Sequence, residues 1–109
     1  MNRTSKIIWP QGKRFAFTII DDTDRSNVEN IGPVYDFLYE NGFITTKTVW
    51  PLSPRSARIG GGDSLEDQDY RDLILNLKAK GFEIALHGAS DESSPRPRVI
   101  EGLKKFKEI

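Results

Sequence analysis

The sequence predicts an α/β fold, a parallel βαβαβα arrangement of three strand-then-helix units. Three observations carry this reading. Short β-rich runs begin near residues 15, 44 and 83, and a helix-spaced amphipathic segment follows each of them. The runs end abruptly at Asp21-Asp22, Trp50-Pro51 and His87. Crossovers of this length join parallel strands, and in parallel α/β folds functional groups gather at the C-terminal strand ends.

Phe15-Ala16-Phe17-Thr18-Ile19-Ile20 is continuously apolar or β-branched, which predicts a first strand covered on both faces. Ser26-Asn27-Val28-Glu29 fits a capping box opening the first helix. Pro33 suits a first helical turn, Val34, Phe37 and Leu38 form the apolar stripe, and Gly42 is the stop. The second strand runs from Ile44 to Trp50 and is closed by Pro51. From Leu52 to Ser64 a Ser/Pro/Arg/Gly stretch containing Gly60-Gly61-Gly62 predicts a long mobile loop, a length that points to function. Tyr70, Leu73, Ile74 and Leu77 make a second helical stripe, read as core, ending at Gly81. Glu83-Ile84-Ala85-Leu86 is the third strand, stopping at His87-Gly88. Pro95 and Pro97 introduce a third helix with Val99, Ile100, Leu103 and Phe106 inward. Its Lys104, Lys105 and Lys107 stand in water and complement the helix dipole.

A chain of 109 residues holds one domain. At 37% hydrophobic and 29% charged it has the means for a core and is not of disordered composition. Sixteen basic and 16 acidic residues cancel, which leaves no net field for nucleic acid or an anionic membrane. The absence of cysteine excludes disulfides, a thiol nucleophile and thiolate metal sites. No apolar run nears the ~18 residues of a membrane span. Only Ile7-Ile8-Trp9 separates the basic Met1–Lys6 stretch from Pro10, too short for the ~7–15-residue apolar centre of a signal peptide. As written the chain reads as cytoplasmic, or as secreted or periplasmic if a leader has been removed.

The strand ends carry the chemistry. Adjacent carboxylates repel, so Asp21-Asp22 calls for a cation or donor between them; the plainer reading is a polar turn. His87 is the sole histidine, and Asp91 follows four residues on, on the same side if the segment coils. Asp22, His87 and Asp91 would offer two carboxylates and an imidazole to a divalent cation, with helix capping as the plainer role of Asp91. Trp50 is a sugar-stacking platform or, more simply, rim packing. Gly60-Gly61-Gly62 lacks the Gly-Lys-Ser/Thr of a phosphate-binding loop. Arg55 and Arg58 read as solvated loop charges, though an anionic substrate could meet them.

Phe17 through Asp22 resembles the strand-end T-F-D-D motif of the polysaccharide deacetylases, the NodB-like, chitin-deacetylase-like family. Gly42 through Trp50 is similar to that family's helix-exit glycine and second strand, and Gly81 through His87 to its "GhEIgsH" third strand. The resemblance covers about residues 15–91. It implies the first part of a (β/α) deacetylase barrel, with Asp21 as general base, Asp22 as metal ligand and His87 as first ligand of an H-x-x-x-H pair. Trp50 would meet a carbohydrate substrate. Asp91 stands where the second histidine would be, so the cofactor implied is a divalent metal: Zn, or Mn, Mg or Co for the harder donor set. The activity implied is metal-dependent hydrolysis of N-acetyl groups on a polysaccharide or a related amide. Later family motifs have no counterpart before Ile109. The expectation is an incomplete, inactive N-terminal portion whose open sheet edge is covered by a C-terminal half or a second copy.

Two other classes fit parts of the pattern. Asp22-Thr23-Asp24-Arg25-Ser26 matches the D-x-D-x-T/S motif of haloacid-dehalogenase-like phosphatases, with Asp22 as nucleophile and Asp24 as acid–base. A receiver-like or catalytically silent deacetylase-like binding module is the non-enzymatic alternative; a receiver would need an Asp where His87 stands.

Overall fold

The computed structural model describes residues 5–56 and 60–109. The β-branched run in the middle of the chain becomes the central strand, β2 (Thr46–Val49), between β1 (Ile20–Asp21) and β3 (Glu83–Leu86). Both pairings are parallel, with Asp21 opposite Lys47 and Val49 opposite Leu86. Helices α1 (Val28–Glu40), α2 (Gln68–Ala79) and α3 (Arg96–Phe106) follow the strands in turn. The protein is therefore α/β with an open three-stranded parallel sheet in βαβαβα order.

The core lies between the sheet and the α1–α2 layer: Ile31 and Tyr35 of α1, Val49 of β2, Tyr70, Ile74 and Leu77 of α2, with Leu65 and Phe82 from the connections. Tyr35 meets Phe82 edge-on, ring centroids 5.0 Å apart. Burial pushes the Tyr70 phenol up to about 12. The helix stops behave as their glycines predict. Gly42 has φ +76° and Gly81 φ +100°. The next residue's N–H reaches back to a carbonyl of the last turn, Phe43 to Leu38 and Phe82 to Leu77.

Four expectations are corrected. The first strand pairs only at Ile20–Asp21, and Phe15 and Phe17 are 76% and 73% exposed rather than buried, because no strand or helix among the described residues covers that run. The cap of α1 sits one residue later than Ser26: Asn27 and Asn30 exchange side-chain-to-backbone bonds of 2.9 Å, and Pro33 lies inside the helix. The inward stripe of α1 is Ile31, Tyr35 and Leu38, at i, i+4 and i+7, which leaves Val34 and Phe37 exposed. In α3 the buried face is Arg98 and Gly102, not Val99, Ile100 and Leu103. The missing side chain of Gly102 lets the helix approach Ala89, to which an added Cβ would be 3.0 Å.

The readings of Arg58 and of Met1–Thr4 lie outside the described residues. No described helix is long and apolar enough to cross a membrane.

Candidate functional site

Register determines what meets at the C-terminal edge of the sheet. Asp22 follows β1 and His87 follows β3, one strand spacing to either side of β2, about 9–10 Å in all. Only side chains reaching over the end of β2 can close that gap. They do: His87 Nε2 lies 3.2 Å from Asp22 Oδ1 and 3.9 Å from Asp24 Oδ1. Among the described residues, ligand atoms of Asp22, Asp24 and His87 lie within 4.8 Å of one another, a group that could hold a metal ion. All three side chains remain partly open to solvent. The backbone N–H of His87 is held by Val49 O at 2.9 Å, which fixes the root of the imidazole.

The Asp22 carboxyl is held below its ordinary 3.8, chiefly by the N–H of Asp24, 3.1 Å from Oδ1. Partial desolvation opposes this; the His87 charge, the Thr23 N–H and the Lys47 ammonium assist. The turn that brings Asp24 to the rim thus also keeps Asp22 ionised.

Asp21 belongs to a different constellation. Its Oδ2 accepts from Tyr35 Oη at 2.9 Å and lies 3.3 Å from Lys47 Nζ. Lys47 is fully buried, and its ammonium also donates to Asp22 O at 2.8 Å and Ser26 Oγ at 3.0 Å. Desolvation lowers the Lys47 pKa, with the Asp21 carboxylate acting against it. The cation that an adjacent Asp pair calls for is therefore a lysine of β2. Lys47 lies within the run read as the second strand, and its signal in the sequence is a lone cation in a β-branched run.

Trp50 is 4% exposed and meets the His87 ring at 65°, centroids 5.9 Å apart. A stacking platform needs an open face, so in this geometry Trp50 backs the histidine and offers no surface to a sugar. Asp91 lies outside the Asp22–Asp24–His87 group. It is 5% exposed, and its carboxylate accepts from the N–H groups of Gly60, at 3.0 and 3.1 Å, and Gly61, at 2.7 Å. Arg55 is anchored by Glu92 and Glu101. The residue that joins the rim in place of Asp91 is Asp24, which the sequence raised only through the phosphatase-like D-x-D.

The described ends of the β2–α2 loop are pinned rather than loose. Arg25 N donates to Gly61 O at 2.6 Å, Asp63 N to Ser26 O at 2.7 Å, and Leu65 N to Trp50 O at 2.9 Å. No family model matches the chain, and neither a curated protein nor a solved structure matches it.

Proposed function

We propose that the Asp22–Asp24–His87 rim binds a divalent cation, and that the chain carries the cation-binding residues of a hydrolase that removes N-acetyl groups from a polysaccharide or related carbohydrate amide. One observation carries this: carboxylates after β1 and the only histidine, after β3, converge within 4.8 Å at the sheet edge where ligands of parallel α/β folds bind. Two carboxylates and one imidazole suit Mn, Co or Mg and are acceptable to Zn. Three protein donors leave coordination positions for water and substrate. A cation held by these three residues would supply an acidified water and a polarised carbonyl.

The chain's own residues have defined parts in this proposal. Asp22 stays ionised through the Asp24 N–H, and Trp50 holds the imidazole plane from the side. Oδ2 of Asp21 is committed to Lys47 and Tyr35, so a base role for Asp21 falls to Oδ1. The test is titration with Mn²⁺ and Zn²⁺, with acetate release from N-acetylglucosamine oligomers as second readout. Asp22→Asn and His87→Ala should each weaken binding by about tenfold or more. Failure of the protein to bind either cation, or binding indifferent to both substitutions, overturns the proposal.

The position of Asp24 beside Asp22 favours one second reading, a phosphatase using the pair as nucleophile and acid–base. It predicts phosphate-ester turnover abolished by Asp22→Asn and unaffected by His87→Ala.

A further inference from the structure

We infer that Asp91 is a positioning residue for the rim, acting through Gly60 and Gly61 to hold Asp24 in place as the third cation ligand. The inference rests on the cation-site reading above and adds a route by which a residue outside the ligand group controls it.

A nearly buried carboxylate must be satisfied by donors or by a cation. Asp91 is satisfied by donors: two consecutive backbone N–H groups converge on it, one of them shared between both oxygens. This fixes the peptide planes of Gly60 and Gly61 from one side. On the other side the same glycines lie against the turn after β1. A Cβ on Gly60 would stand 3.3 Å from Asp24 Cγ and 3.4 Å from Asp24 Oδ1. Gly61 O accepts the Arg25 N–H at 2.6 Å. A Cβ on Gly62 would come within 3.0 Å of the Arg25 and Ser26 nitrogens. Gly60 and Gly61 thus run between Asp91 and the Asp24–Ser26 turn, and at Gly62 the backbone of that turn comes so close that only glycine fits. Glu92, the next residue, takes the Arg55 N–H at 3.1 Å, so the β3–α3 connection grips the loop at a second point.

Asp24 itself is exposed, and its turn is also secured by the Asp24 N–H to Asp22, the Ser26 N–H to Thr23 O, Asn30 Nδ2 to Arg25 O and the Asp63 N–H to Ser26 O. The glycine strip is the wall that stops its carboxylate swinging away from Asp22 and His87. Supporting residues of this kind commonly alter metal affinity by about 10–100-fold.

The test is a double-mutant cycle read by Mn²⁺ binding, using the wild type, Asp91→Asn, Asp24→Asn and the double variant. Asn is close to isosteric, but it sets an NH₂ group against a backbone N–H. Asp91→Asn should weaken Mn²⁺ binding about 10–100-fold in the wild type and by less than about twofold in the Asp24→Asn background. Equal weakening in both backgrounds overturns the inference by making Asp91 act independently of Asp24. No weakening in the wild type overturns it as well.

Amide hydrogen exchange in metal-free protein separates this inference from the site reading. Asp91→Asn should speed exchange at Gly60, Gly61 and Arg25 by about tenfold or more, with Phe43 and Phe82 unchanged. Faster exchange at the glycines with Arg25 unaffected breaks the relay, whether or not Mn²⁺ binds. The expected exchange pattern in a wild type that binds no Mn²⁺ would retain Asp91 as holder of the Asp24 turn and remove the cation.

Discussion

At the scale of single residues, the molecule turns on charges whose surroundings set their state. Lys47 is the clearest case. Its folded pKa lies below 10.5, so between that lowered value and 10.5 the unfolded chain binds more protons than the folded one, and this group's contribution to stability rises with pH. Urea midpoints measured as pH rises toward 10.5 should show that upward contribution, and Lys47→Met should lack it. Lys47→Ala should cost about 3–5 kcal/mol, since it leaves the Asp21 carboxylate and Ser26 hydroxyl without their cation. Asp22 gives a slope of the same sign in a lower window: its depressed pKa favours the fold above 3.8, and that help is lost as pH falls through the folded value. Gly62 is constrained sterically. Its φ is +120°, and an added Cβ would strike backbone atoms that cannot move aside. Gly62→Ala should therefore lose about 1–3 kcal/mol in denaturant unfolding. Asp22 and His87 were legible in the sequence because each follows a β-rich run. Asp24 was legible only through the phosphatase-like D-x-D and Lys47 not at all, since one acid among 16 in a turn, or one lysine in a strand, takes its meaning from the neighbours the fold sets beside it.

At the scale of elements, local signals carried and tertiary ones did not. The bounds of β3, the stripe of α2 and the glycine stops of α1 and α2 depend on residues adjacent in sequence, and all follow from it. The buried faces of α1 and α3 depend on what lies opposite. Tyr35 turns inward because Asp21 and Phe82 await it, and Arg98 because Ser53 O, at 2.6 Å, and the carboxylates of Glu92 and Glu101 surround it. Neither helix declares this by periodicity alone. The cap of α1 gives a direct check: Asn27→Ala should reduce stability by about 1 kcal/mol in chemical denaturation, whereas Glu29→Ala should change it little.

For the whole molecule, shape is the informative quantity. The Cα radius of gyration is 16.8 Å, against roughly 13 Å for a compact domain of this length. The surplus surface includes Phe15, Phe17 and Ile20 beside the β1 edge and Val34 and Phe37 on α1. An uncovered parallel edge flanked by apolar side chains invites pairing. A second copy is the expected cover: sedimentation velocity should show dimers growing with concentration, and Ile20→Lys with Phe17→Asp should return the protein to monomer. A concentration-independent monomer would refute this. The shortness of β1 has a further consequence. A strand joined to its neighbour over two residues is the natural place for the sheet to unzip, and the reach from Asp22 across β2 to His87 is a clasp thrown over that seam. An ion seated there would rivet the outer strands to each other, so the seam that opens first in the bare protein would become one of the last to part.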